Sequence, residues 1–195
     1  MKLKRVCVFC GSSRGDNPAF ADAAAAMGAT LAERGLGLVY GGGNVGLMGA
    51  VADAALGAGG EVVGVIPEAL EEKELAHREV TELRVVRSMH ERKAMMAELA
   101  DGFVALPGGF GTFEEFCEIL TWAQLGIHRK PAGILNVAGY YDPLLAMFDS
   151  AVENRLLSPA NRSLVLCDTS PGRLLGLMEA FEPGDSEKWL DRTMT

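Results

Sequence analysis

The residues that could do chemistry gather in a few short stretches. The first is "LPGGFGTFEE", Leu106 to Glu115, where three glycines and a threonine run directly into two carboxylates. Glycine costs conformational entropy, so such a run needs a local reason, either a plain turn or a backbone that something must approach closely. Gly108, Gly109, Phe110 and Gly111 follow the apolar stretch "GFVALP". Thr112 then opens a helical pattern, as its cap or as a hydroxyl for an anion. Glu114 and Glu115 are predicted in the first turn, where the helix dipole accounts for one acid. Phe113, Phe116, Cys117 and Leu120 supply the apolar face, which leaves Glu115 beside the loop, one turn from Thr112. A carboxylate next to an anion-binding loop points to chemistry on the ligand.

The second stretch is "SMHERKAMMAELA", which opens with a capping box of Ser88 and Glu91. Met89, Met96 and Leu99 mark an apolar face. Arg92 lies three residues after Met89 and four before Met96, on that same face, with Lys93 alongside. Cations on a buried stripe need an anionic partner or a route to water. The bland alternative is snorkelling, with packed stems and solvated heads. The functional one is a clamp for a phosphate and a polarised sugar.

Two more glycine-bearing strand exits accompany these. In "CGSSRGDNP", Gly11, Ser12 and Ser13 offer amides and hydroxyls, and Asn17 and Pro18 read as a cap and first helical residue. In "YGGGNVGLMG", Gly41, Gly43 and Gly46 satisfy G-x-G-x-x-G between a strand and a helix, with Gly42 inside the motif. A dinucleotide reading is weak here. The motif falls in the second crossover, no acid closes the next strand nearer than Glu68, and no P-loop lysine follows. A phosphate or sugar contact is the expectation, and a bound NAD is not.

These groups must be held by elements, and the apolar pattern supplies them. "RVCVFC", "LGLVY", "EVVGVIP", "ELRVV", "GFVALP", "AGILNV" and "SLVLC" read as strands, alternating with helical patterns. Short continuous apolar strands between helices predict a parallel sheet covered on both faces. That is the α/β, Rossmann-like doubly wound class, whose ligands bind beyond the carboxyl ends of the strands. The pattern predicts one domain over residues 1–182 and a tail over 183–195.

Hydrophobic residues make up 49% and charged residues 23%, an ordinary globular balance. A net charge of −8 argues against broad binding to nucleic acid or to an anionic membrane. No apolar run reaches the ~20 residues of a bilayer span. The start, "MKLKRVCVFCGSS", lacks the longer apolar region and cleavage site of a signal peptide, so a cytoplasmic protein is expected. Cys7 and Cys10 form C-x-x-C, but residues three apart in a strand point to opposite faces, so buried, reduced thiols are expected. His77, His90 and His128 are scattered without metal-ligand spacing, and no G-x-S-x-G elbow occurs.

Taken together and in order, "YGGGNVGLMG", the M-H-x-R-K of Met89 to Lys93 and the P-G-G-x-G-T-x-x-E of Pro107 to Glu115 resemble the Lonely Guy (LOG) family. These are cytokinin riboside 5′-monophosphate phosphoribohydrolases. The resemblance runs from about Arg5 to Phe181, with "TWAQLGIHRKP" and "NVAGYYDPLL" similar as well. It implies a Rossmann-like homodimer that hydrolyses the N-glycosidic bond of an N6-modified AMP, giving free base and ribose 5-phosphate. It implies no metal or organic cofactor. It also implies a catalytic pair, Arg92 and Glu115, and substrate contacts from Glu74, Lys93, Gly109 to Glu114 and Thr121. The helical wheel groups Thr121 with Glu114 rather than Glu115, which leaves open a curved helix or a contact near the dimer interface. Phe113 stands where leucine is frequent in the family.

Relatives of this kind have been labelled lysine decarboxylases. The chain has only six lysines, none in a recognisable pyridoxal-phosphate setting, so its sequence does not support that label. The competing reading is a non-catalytic carrier of a nucleotide or phosphorylated cofactor, because fold does not fix function. The presence of both Arg92 and Glu115 favours the hydrolase.

Overall fold

The computed structural model describes residues 2–71 and 75–182. Among them, seven strands lie in one sheet: β1 (Arg5–Phe9), β2 (Gly37–Tyr40), β3 (Val62–Pro67), β4 (Glu82–Val86), β5 (Gly102–Ala105), β6 (Ala132–Leu135) and β7 (Val165–Asp168). Their order is β4-β3-β2-β1-β5-β6-β7, and every pairing is parallel. Each strand falls on a stretch whose apolar run predicts it. The chain builds outward from β1 to β4, then returns to pair β5 with the other edge of β1. That reversal is the switch point at which open α/β sheets bind ligands.

The long helices are α1 (Pro18–Glu33), α2 (Gly46–Gly57), α4 (Met89–Leu99), α5 (Phe110–Gln124), α6 (Asp142–Glu153) and α8 (Pro171–Glu179). Two single-turn helices, α3 (Glu68–Glu71) and α7 (Pro159–Arg162), have no counterpart in the sequence pattern; four residues are too few to show a helical period. The start of α1 follows the expected chemistry. Asn17 Oδ1 accepts the Ala19 amide at 3.0 Å, and Pro18 takes the position where a missing N–H costs nothing.

Side chains alternate across the sheet and divide the core in two. Val6, Val8, Leu38, Tyr40, Val104 and Leu106 face one layer, with Met27, Leu31, Val51, Leu174 and Met178 from α1, α2 and α8. Cys7, Phe9, Val39, Phe103, Ala105 and Ile134 face the other, with Met96, Phe116 and Ile119 from α4 and α5. A fully buried side chain of this kind contributes about 1.5–3 kcal/mol. Cys10 belongs to the first layer and Cys7 to the second, and both are free thiols. The C-x-x-C therefore straddles the strand, as its period of two requires. Among the described residues no helix is long and apolar enough to cross a membrane.

Candidate active site

Three loops meet at the carboxyl ends of β1, β2 and β5. The Gly11 amide donates to Pro107 O at 3.0 Å, and the Leu47 amide donates to Gly11 O at 3.0 Å. The first loop is thereby tied to the other two. Ser12 and Ser13 are exposed, while Gly11 is buried. Gly46 has φ +61°, and a methyl there would lie 2.2 Å from the Ser12 carbonyl carbon.

Arg92 enters beneath these loops from α4. It is 5% exposed, so it does not snorkel. Its Nε donates to Val65 O at 3.1 Å and its Nη2 to Gly41 O at 2.8 Å. A methyl at position 41 would sit 2.1 Å from that Nη2. Gly41 is glycine because the guanidinium occupies the space of a side chain. Ser88 caps α4 as expected, its Oγ accepting the Glu91 amide at 3.2 Å. The Glu91 carboxylate departs from a strict capping box by accepting the Arg87 amide at 2.9 Å.

The third loop is built differently. Gly109, with φ −102° and ψ −154°, caps α5 without a side-chain bond, so the helix begins at Phe110 rather than Thr112. Two expectations change. Thr112 is a buried residue inside the helix, and a methyl on Gly108 would come within 2.1 Å of its hydroxyl. Glu114 and Glu115 lie in the second turn, beyond the reach of a simple dipole explanation. The first intrahelical bond runs from the Phe113 amide to Gly109 O at 3.1 Å. The amides of Phe110, Gly111 and Thr112 precede it, and such first-turn donors have no intrahelical acceptor. Alanine methyls at Gly109 and Gly111 would meet nothing within 4 Å, and Phe110 is 93% exposed. This loop presents bare backbone to solvent at a helix N-terminus, a ready site for a phosphate.

Glu115 hangs half-buried from the inner side of α5. Burial pushes the Cys7 and Cys10 thiols well up; the Glu115 charge adds to that shift and the Arg92 charge opposes it. Arg92 is held at Gly41 O, just past β2, and Glu115 lies in the second turn of the helix after β5, so the cation and the carboxylate belong to the exits of the two strands that flank β1. Lys93, next in sequence after Arg92, reaches across to α5. Its Nζ donates to Glu114 at 2.5 Å and to Glu118 at 3.1 Å. Burial lowers its pKa, but the two carboxylates outweigh burial and leave it raised.

Two tyrosines prop the loop, and sequence reasoning gives them no role beyond membership of a family-like stretch. Tyr140 donates its hydroxyl hydrogen to Gly108 O, and Tyr141 donates to Leu106 O at 2.7 Å. Asn136 fixes that turn, accepting the Tyr141 amide at 2.9 Å and donating to Asp142 at 2.6 Å. Two adjacent phenols just past a strand end are the signal that points to them.

Not every anticipated contact joins this cleft. Gly42 (φ +78°) and Gly43 are buried, with Gly42 turned onto β3 beside Val65 and Ile66, so they brace the site rather than line it. Thr121 is exposed on α5, its hydroxyl donating to Cys117 O at 2.8 Å. Six residues after Glu115 it faces another side of the helix. Glu74 lies outside the described residues, as does the tail over 183–195.

A family model described as "Possible lysine decarboxylase" matches residues 48–178. The cytokinin riboside 5′-monophosphate phosphoribohydrolase LOG7 of Arabidopsis thaliana is 50% identical over 182 residues, covering 93% of this chain and 84% of that protein. The chain belongs to the LOG family. The rice LOG protein of Oryza sativa subsp. japonica is 47% identical over 182 residues, 93% of this chain and 75% of its own. Among solved structures, the molybdenum cofactor binding protein from Rippkaea orientalis matches with a TM-score of 0.68 at 23% identity, over 92% of this chain and 98% of that one. The molybdenum cofactor carrier protein of Chlamydomonas reinhardtii gives 0.68 at 20%, over 92% and 98%. At those identities the likeness to the carriers is one of fold alone.

Proposed function

We propose that this LOG-family chain hydrolyses the N-glycosidic bond of adenosine 5′-monophosphate or its N6-modified forms, releasing the free base and ribose 5-phosphate. The observation that carries the reading is the placement of buried Arg92 and half-buried Glu115 at the exits of the two strands that flank β1, beside the open first turn of α5. The 5′-phosphate sits on the amides of Phe110, Gly111 and Thr112. Cleavage builds positive charge on the ribose, and Glu115 stabilises that charge or orients the water. Arg92, preorganised by two backbone carbonyls, holds the phosphate or polarises the scission region without reorganising. Lys93 supports the outer edge through its two glutamates. A carrier needs the open amides but has no use for a carboxylate set against its anion, which favours the enzyme.

The working form in this reading is a cytoplasmic homodimer. Leu125, Ile127, Met147 and Leu156 are each at least 65% exposed, an unusual apolar display for a solitary chain. None of the twelve residues of α6 is buried within the protomer. Pairing through this side would bring Thr121, which shares no face with its own Glu115, towards the neighbouring chain's cleft. Sedimentation should give a dimer for the wild type and a monomer for a Leu125→Lys, Ile127→Lys variant; a wild-type monomer rejects the pairing.

The deciding assay follows free base by chromatography, with AMP and isopentenyl-AMP offered side by side. Glu115→Gln should keep its melting temperature and lose on the order of 10²–10⁴ in turnover. Base release that survives the substitution removes Glu115 from the mechanism. Bound nucleotide without release from wild-type protein would establish the carrier instead.

A further inference from the structure

A buried histidine that the mechanism leaves unused sits directly behind Arg92's anchor. After α3 the chain comes back past the second glycine loop as a short antiparallel piece. The Asn44 amide donates to Leu75 O at 2.9 Å, Gly43 bridges Ala76, and the His77 amide donates to Gly42 O at 2.9 Å. Leu75 makes this return in the left-handed region, at φ 47°, where a leucine is strained unless its surroundings hold it. The His77 ring is 3% exposed, and its Nε2 lies 2.9 Å from Asp53 Oδ1 on α2. A carboxylate only accepts, so Nε2 carries the hydrogen that it donates.

Two adjacent carbonyls of one loop are therefore held from opposite directions. Gly41 O is taken by the Arg92 guanidinium and Gly42 O by the His77 amide. We infer that His77 is a positioning residue: anchored through its ring to Asp53, it fixes the Gly42–Gly43 peptide, and with it the neighbouring Gly41 carbonyl that sets the guanidinium of Arg92. The path from Asp53 to Arg92 consists of three hydrogen bonds of 2.9, 2.9 and 2.8 Å joined through His77 itself and the Gly41–Gly42 backbone. It ties α2, whose first turn is already bound to Gly11, to the cation under the loops. The inference rests on Arg92 acting on the nucleotide as proposed above.

Steady-state release of base from AMP tests it, with His77→Leu, His77→Gln and Asp53→Ala compared at temperatures where each is folded. His77→Leu should lower kcat about ten- to a hundredfold, the scale of an ångström's misplacement. His77→Gln should recover most of that loss, because its amide can donate to Asp53 as Nε2–H does. Asp53 is largely exposed, so Asp53→Ala tests the same link should His77→Leu fail to fold, and a severalfold loss in kcat is expected. In an Arg92→Gln background, His77→Leu should cost nothing further. A residue that only stabilises the fold would lower the melting temperature and leave kcat unchanged, whereas a kcat loss that added in full to that of Arg92→Gln would show His77 acting independently of Arg92. Either result overturns the inference. If wild-type protein releases no base, the functional reading fails separately, and calorimetric AMP binding then reads the link: weakened by Leu and restored by Gln if it holds, unchanged by both if it does not.

Discussion

Two glycine-rich exits of this sheet look alike in the sequence and are put to opposite uses. "YGGGNVGLMG" is packed shut: Arg92 stands where a Gly41 side chain would be, and Gly42 is pressed onto β3. "PGGFGT" is open at Gly109 and Gly111, with three helix-start amides behind it. In the first loop the missing side chains make room for the protein's own cation. In the second they make room for something from outside. A glycine motif thus says that space is needed, and only the neighbouring groups say for whom.

The sharpest way to break this comparison is Gly41→Ala. Its methyl would displace the Arg92 guanidinium, so turnover should fall by on the order of 10²–10³, close to an Arg92→Gln benchmark. Near-normal turnover would mean that the first loop has slack. Gly111→Ala should behave in the opposite way. Its methyl meets nothing, and exchanging glycine for alanine in a helix stabilises by roughly 0.5–1 kcal/mol, while KM for the nucleotide rises about tenfold as the methyl crowds the phosphate. A drop in melting temperature would show that the loop is closed after all. Tyr141→Phe probes the external prop of the open loop and is the mildest of the three. Losing the 2.7 Å bond to Leu106 O should cost about 1 kcal/mol, a few degrees of Tm, with kcat within severalfold of wild type. A far larger loss of kcat would make the tyrosine part of the chemistry.

Much of this architecture is legible in the amino-acid sequence. Parallel strands buried on both faces must be continuous apolar runs, so the five inner strands can be read off directly, and the part-exposed edges β4 and β7 follow from their shorter apolar stretches. The period of two already sets Cys7 and Cys10 on opposite sides of β1. Arg92 gives itself away by standing on an apolar stripe. What stays hidden depends on tertiary contact. Thr112 has the better capping side chain, yet Gly109 with its extended backbone caps α5 three residues earlier, and that shift carries Glu114 and Glu115 out of the first turn. No local pattern reveals that Gly42 faces β3 rather than the cleft, or that His77 finds Asp53 on another helix. Tyr140 and Tyr141 reach back more than thirty residues to the loop they support.

The order of the sheet also has a consequence for how the molecule comes into being. A chain emerging during synthesis presents β1 to β4 and then Arg92, but the strand that completes β1 and the helix bearing Glu115 are still to follow. Asp101 must close onto the Lys4 amide across 97 residues as β5 pairs with β1 and brings its loop to the cleft at the other end of the strands. Such distant closures are slow steps in folding. A half-made sheet therefore has Arg92 in the chain without Glu115, and on the proposed mechanism it could not cut. A nucleotide that binds only the finished fold, as the proposed site requires, would draw the last insertion to completion by mass action.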